Sequence, residues 1–266
     1  MSSHIAAGQV STSAARIYEC SLVPALFDQW VEPMLDAVRA GVGDRLLDVG
    51  TGTGVLARAA FGRVGATGHV IAVDPNEGML AVASELAPGV DLRSGSAEQL
   101  PLGDSEIDCL TCQFVMMFVS GRARAVDEMA RVLRPGGRLA VATWAAVEEL
   151  PGFAAMVDLF ADVLGDWAAD ALRTPFCIGS ADELAEMLGR RFPDVAVRRH
   201  QGRARFATLD DWVNTEIRGW TLADDVDEVQ LQRLRAAAVT RLGRFVADDG
   251  SVQFAAPALI ATATAA

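Results

Sequence analysis

The residues best suited to chemistry stand in one short run, Asp48-Val49-Gly50-Thr51-Gly52-Thr53-Gly54. Glycines let a backbone come close to a ligand and take up angles closed to other residues. Where such a run leads into a helix, the free N–H groups of the helix start face the ligand as well. Enzymes that hold dinucleotides use a similar loop. Their G-x-G-x-x-G pattern would place a third glycine at position 55, where this chain has Val55. Asp48, just ahead of the loop, would repel a pyrophosphate but can hold an ammonium group. A second carboxylate, Asp74, ends the run Val70-Ile71-Ala72-Val73-Asp74-Pro75. There it can accept hydrogen bonds from both hydroxyls of a ribose, or cap the helix that follows.

Other chemistries are thinly supplied. The 266 residues include 23 basic ones, every one an arginine. Without lysine there is no Walker-A phosphate contact, no Schiff base to pyridoxal phosphate and no Tyr-x-x-x-Lys dehydrogenase site. The three histidines are His4 near the start, His69 at the base of a strand and His200 on a later one. Tyr18 is the sole tyrosine. Cys109 and Cys112 have a metal-ligand spacing, but they lie in a strand-like run, IDCLTCQFV. Positions i and i+3 on a strand face opposite ways, so these read as buried structural thiols and no metal is expected. The net charge is −12, which argues against a nucleic-acid partner. No apolar stretch reaches membrane-spanning length and the N-terminus does not read as a signal peptide. Reduced thiols then suggest a cytoplasmic home.

To position these residues, the chain alternates short apolar strands with helices. Strands are expected at Arg45–Val49, His69–Asp74, Val90–Arg93, Ile107–Gln113 and Arg138–Trp144, with Arg134–Gly137 as a turn. Helices are expected at Gly54–Phe61, Asn76–Leu86 and Arg122–Leu133. Strands without polar alternation imply a sheet covered on both faces, hence a doubly wound, Rossmann-like α/β fold. A helix over Pro24–Ala40 precedes them. After Trp144 the pattern becomes mainly helical, with a capping box at Ser180 and Glu183. A strand over Val195–Phe206, a helix over Val226–Val246 and a β-rich tail from Ser251 follow. The expected layout is an N-terminal cap (1–40), a ligand-binding core (41–145) and a region completing a seven-stranded, mostly parallel sheet with helical lid insertions (146–266). Lid aromatics such as Phe153, Phe176, Trp212 and Trp220 belong to the core between lid and sheet, and some reach the pocket.

The segments LLDVGTGTG, VIAVDPNEGML, SGSAEQLPLGDSEIDCL and MARVLRPGGRLAVATW, in this order, resemble the class I S-adenosylmethionine-dependent methyltransferases, in the branch similar to the UbiE and type 11 small-molecule enzymes. The resemblance spans about residues 45–144. It implies S-adenosyl-L-methionine as cofactor. Asp48, Gly50, Thr51 and Gly52 would hold its methionine portion and Asp74 its ribose. Pro75, Asn76 and Met79 would line one adenine face. Ser96 and Ala97 would meet the adenine edge, with Glu98 beside them. Many relatives carry aspartate where Ser96 stands, so the acceptor here is uncharged. Gln113 would face the methyl group and substrate, and Tyr18 would belong to a segment that in relatives folds over the cofactor.

Tyr18 and Gln113 are thus the candidates for a catalytic role. Methyl transfer is an in-line displacement that needs alignment and exclusion of water more than a dedicated base. Trp144, Phe153 and Phe176 are the expected substrate-pocket residues. The reading is methyl transfer to O, N or C of a small, apolar or aromatic metabolite by a monomer or homodimer. Two alternatives stand beside it: a cofactor-binding enzyme that does not methylate, such as a cyclase, and a nicotinamide-dependent oxidoreductase.

Overall fold

The computed structural model describes residues 10–218, 222 and 225–266; His4 and Trp220 lie outside them. Helix α1 (Thr12–Ile17) is capped by the Ser11 hydroxyl, which accepts from the Ala14 N–H. It runs directly into a π-helical segment, Tyr18–Phe27, then a 3₁₀ turn, Asp28–Trp30, and α2 (Val31–Ala37). The single helix expected from Pro24 to Ala40 is therefore three pieces, and it starts earlier. Pro24 lacks an N–H and cannot extend a regular α-helix; it falls inside the wider π segment, a geometry uncommon outside functional sites.

The core then alternates as expected: β1 (Arg45–Val49), α3 (Val55–Val64), β2 (His69–Asp74), α4 (Glu77–Leu86), β3 (Asp91–Ser94), β4 (Ile107–Gln113), α5 (Arg122–Val132) and β5 (Leu133–Trp144). The Arg134–Gly137 turn is a bulge inside β5. The ladder with β4 pairs Ile107 with Leu133 and resumes at Cys109 with Arg138. The lid follows as α6 (Pro151–Leu164), α7 (Asp166–Arg173) and α8 (Ala181–Gly189), the last opened by the capping box of Ser180 and Glu183. The remaining elements are β6 (Ala196–His200), β7 (Arg203–Phe206), α9 (Leu209–Arg218), α10 (Glu228–Leu242), β8 (Val252–Ala255) and β9 (Ala258–Thr264).

Seven strands form the main sheet in the order β3-β2-β1-β4-β5-β9-β6. The ladders from β3 to β5 are parallel, and β9 runs antiparallel to both neighbours. Helices cover both faces, so β1, β2 and β4 are buried almost throughout. The strand order reverses between β1 and β4, which opens a crevice beyond their carboxyl ends.

Two expected elements divide. The single strand Val195–Phe206 becomes β6 in the main sheet and β7 in a separate two-stranded ribbon with β8. The β-rich tail splits the same way into β8 and β9. The break falls at Gly202, where a side chain would intrude on the Trp30 ring. The Gly202 carbonyl accepts from the Ala256 N–H at 2.9 Å, so the two strand pairs change sheets side by side. Cys109 and Cys112 are buried on β4. Among the described residues no cluster of three or more His, Cys, Asp or Glu could hold a metal ion, and no helix is long and apolar enough to cross a membrane.

Candidate active site

The glycine loop joins β1 to α3 through three left-handed glycines, Gly50 (φ +68°), Gly52 (φ +55°) and Gly54 (φ +83°). The N–H groups of Gly50 and Thr51 donate to the Val73 carbonyl at 2.7 and 3.1 Å, which pins the loop to β2. The glycines are needed for different reasons. A Cβ at Gly50 would fall within the Val115 side chain, whereas one at Gly52 would meet nothing within 4 Å. Gly50 is therefore closed in by protein, while Gly52 faces open space.

Asp74 ties the loop from the other side. Its Oδ2 accepts from the Gly52 N–H and its Oδ1 from the Asn76 N–H, both at 2.8 Å. Helix α4 is capped by Asn76, whose Oδ1 accepts from the Met79 N–H, so Asp74 is not the cap. Burial raises the Asp74 pKa, and the two backbone N–H groups oppose that shift. Each oxygen keeps a second lone pair for a ligand.

A cavity of about 540 Å³ opens above the loop, a size typical of small-molecule sites. Gly50, Gly52, Asp74, Pro75 and Met79 line one side, with Ser96, Ala97 and Glu98 at its edge. Glu98 is held by Gly121, whose N–H it accepts. Tyr18 closes over this end, stacked on Phe27 with ring centroids 5.2 Å apart. Tyr18 is a neutral phenol. Burial, then the nearby carboxylates of Asp74, Glu19 and Asp48, hold its pKa well above the usual value. Trp144, Phe153 and Phe176 line the same cavity, with Leu26, Phe27 and Phe114; Phe27 also meets Trp144, with ring centroids 5.9 Å apart.

Asp48, Thr51 and Gln113 stand behind the cavity wall, not on it. Asp48 lies opposite Thr111 in the β1–β4 ladder and accepts its hydroxyl at 2.9 Å. Burial pushes the Asp48 carboxyl up to about 7, although hydrogen bonding lowers it. Gln113 turns toward the π-helical segment, its Nε2 donating to the Phe27 carbonyl at 3.4 Å. Phe114 adopts φ +57°, a costly angle for a bulky side chain. That turn carries the Phe114 ring, not Gln113, onto the cavity wall. The ring stacks on Trp144 at 4.1 Å with planes 16° apart.

One polar cavity residue has no motif to mark it. Glu216, on α9, lines the cavity and is only 3% exposed. Its Oε1 is fully buried with no hydrogen-bond partner. Burial pushes its carboxyl up to about 8, and the nearby Trp212 indole offsets that shift only in part. In sequence Glu216 reads as one acid in the amphipathic helix LDDWVNTEIR. The available signal was its place one residue before Ile217 and four after Trp212, on the helix's apolar side.

Residues 47–141 match the family model described as a methyltransferase domain. The chain is 43% identical over 114 residues to the ubiquinone/menaquinone biosynthesis C-methyltransferase UbiE of Pseudomonas putida. That match spans 40% of this chain and 43% of the relative, less than half of either. Among solved structures, the YcgJ protein of Bacillus subtilis superposes with a TM-score of 0.60 at 21% identity, covering 89% of this chain and 97% of its own. Phosphoethanolamine N-methyltransferase 2 of Haemonchus contortus, in complex with S-adenosyl-L-methionine, gives 0.61 at 16% identity, covering 96% and 58%. At such identities these two likenesses establish the Rossmann-like fold.

Proposed function

We propose that this chain, whose residues 47–141 form a methyltransferase domain related to that of UbiE, transfers a methyl group from S-adenosylmethionine to a small apolar or aromatic metabolite. The observation that carries the reading is the open space over Gly52, beside Asp74 and at the edge formed by Ser96, Ala97 and Glu98. A ligand with a ribose and a flat base suits that arrangement. Asp74 offers lone pairs to the two hydroxyls, Pro75 and Met79 offer apolar surface to the base, and Ser96 offers a neutral acceptor at its edge. When bound, the cofactor supplies an electrophilic methyl group. The chain's own part is to hold the ligands in line and keep water out: Tyr18 and Phe27 cover one end, and Trp144, Phe153 and Phe176 shape the other. Asp48 and Thr51 act from beneath, supporting the loop. Gln113 braces the π-helical segment.

In this reading residues 1–40 form the cap, 41–145 the cofactor-holding core, and 146–266 complete the sheet and supply the lid. The enzyme works in the cytoplasm as a monomer or homodimer and engages no nucleic acid. Nothing in the cavity favours the cyclase or nicotinamide alternatives over methyl transfer. The test is incubation with methyl-labelled S-adenosylmethionine and a metabolite extract, followed by mass spectrometry. A labelled product one methylene heavier than its precursor is expected. Binding of S-adenosylhomocysteine without any labelled product would favour the non-methylating alternative.

A further inference from the structure

Three carboxyl groups line the cavity, Asp74, Glu98 and Glu216, and among the described residues no arginine or histidine joins them. The chain has no lysine to supply the missing charge. Two of the three carboxyls are already engaged. Asp74 accepts from Gly52 and Asn76, and Glu98 accepts from Gly121. Glu216 differs from both. It projects from α9, which packs on the π-helical segment and whose Trp212 ring meets Phe153, into the cavity that Phe153, Phe176, Leu172 and Trp144 also line. Its Oε1 is buried and lacks a donor.

A carboxylate in an apolar wall is costly unless a positive or hydrogen-bond-donating group meets it. This protein pairs its acids readily elsewhere, as Glu128 with Arg131 and Glu19 with Arg58. To Glu216 it offers, among the described residues, only the nearby Trp212 indole and no cation. Beside a neutral hydroxyl the buried carboxyl keeps its proton, and an anion meets acids with no cation among them. A protonated amine favours the ionised carboxylate, donates to it from the cavity, and gains from the aromatic faces of the lining.

We propose that Glu216 is the anchor for a protonated amine carried by an apolar or aromatic substrate, and so sets the enzyme's choice of amines over carboxylates and neutral alcohols. This rests on the methyltransferase reading only in placing substrate at the lid end of the cavity. Glu216 is the counter-ion, Phe153 and Phe176 hold the body of the substrate, and the cofactor half of the cavity is left free.

The test uses three probes of one shape, phenethylamine, phenethyl alcohol and phenylpropanoate, titrated by calorimetry with and without S-adenosylhomocysteine. The native chain should bind the amine most tightly and the carboxylate least. Glu216→Gln, nearly isosteric, should weaken amine binding by roughly ten- to a hundredfold, as for loss of a charge-assisted bond, and leave the alcohol unchanged. Glu216→Asp, which keeps the charge, should recover part of the preference. Both variants should bind S-adenosylhomocysteine like the native chain. Equal binding of amine and alcohol by the native chain, no amine binding, or an unaltered preference in Glu216→Gln would each overturn the proposal. Absence of S-adenosylhomocysteine binding with the amine preference intact would instead count against the methyltransferase reading alone.

Discussion

The Gly52 N–H donates to Asp74 Oδ2 at 2.8 Å across 22 residues of sequence. This one bond joins the glycine loop after β1 to the end of β2, so the two strongest sequence signals form a single unit. Asp74→Ala would remove both the ligand's acceptor and the loop's tether. Calorimetry with S-adenosylhomocysteine should show affinity falling roughly ten- to a hundredfold. Asp74→Asn would place an amide NH₂ against one of the two backbone N–H groups and should be nearly as damaging. Unchanged affinity in either variant would remove Asp74 from the site.

Gly50 and Gly52 should respond differently to the same change. Gly50→Ala would press a methyl into Val115 at a left-handed angle, and should lower the melting temperature sharply. Gly52→Ala meets no protein atom within 4 Å and should cost about 1–2 kcal/mol for the backbone angle alone. It should fold, yet lose the rise in melting temperature that ligand binding gives the native chain. If Gly52→Ala binds S-adenosylhomocysteine normally, the open space above it is not the ligand's.

Tyr18 stays protonated at any working pH, so it cannot serve as a general base, a role that contributes ~10²–10⁴-fold. Once a substrate is known, Tyr18→Phe should cost less than about tenfold in turnover, the measure of one neutral hydrogen bond. Tyr18→Ala should cost more, because it removes the ring that stacks on Phe27 and covers the cavity. A thousandfold loss in Tyr18→Phe with cofactor binding intact would show the hydroxyl to be catalytic.

Stability should fall as pH rises from weakly acidic to weakly alkaline. The Glu216 carboxyl is held up to about 8 and Asp48 to about 7 in the folded chain, against about 4 when unfolded. Between those values the folded state binds protons that the unfolded state has lost. The stability this gives is whole below the unfolded pKa and is spent as pH climbs through the folded one. Acids held low by arginine, such as Asp91 and Glu128, act oppositely and are lost only in strong acid. Thermal melts from about pH 5 to 8.5 should therefore decline. Glu216→Gln should flatten the decline, gaining on the order of a few kcal/mol at the alkaline end. A variant whose melts parallel the native ones would show that Glu216 does not titrate in this range.

The four thiols should fall into two classes under a thiol-reactive dye. Cys20 and Cys177 are exposed, and Cys109 and Cys112 are buried. Burial pushes the Cys109 thiol up to about 12 and the Cys112 thiol higher still. The exposed pair should react in the native chain and the buried pair only on unfolding, since the thiolate is the reacting form. Rapid labelling of Cys109 would contradict its place inside the sheet.

The order of strands and helices in the core, the glycine turn and the carboxylate at the end of β2 were legible in the sequence, because each rests on local physics. Apolar runs without alternation mark buried parallel strands, Val55 breaks the dinucleotide pattern, and glycine alone relieves the left-handed angles of the loop. Strand periodicity alone marked Cys109 and Cys112 as buried thiols of a strand. Other features depended on what distant segments meet. Gly202 divides a strand because Trp30 lies against it. Phe114 reaches the cavity wall where the chain turns through φ +57° after β4, and no residue type announces that angle. Glu216 looks like any acid of an amphipathic helix until α9 packs over the cavity. The burial that perturbs its carboxyl and leaves an oxygen without a donor is a property of the folded surroundings, and only the tertiary structure could decide it.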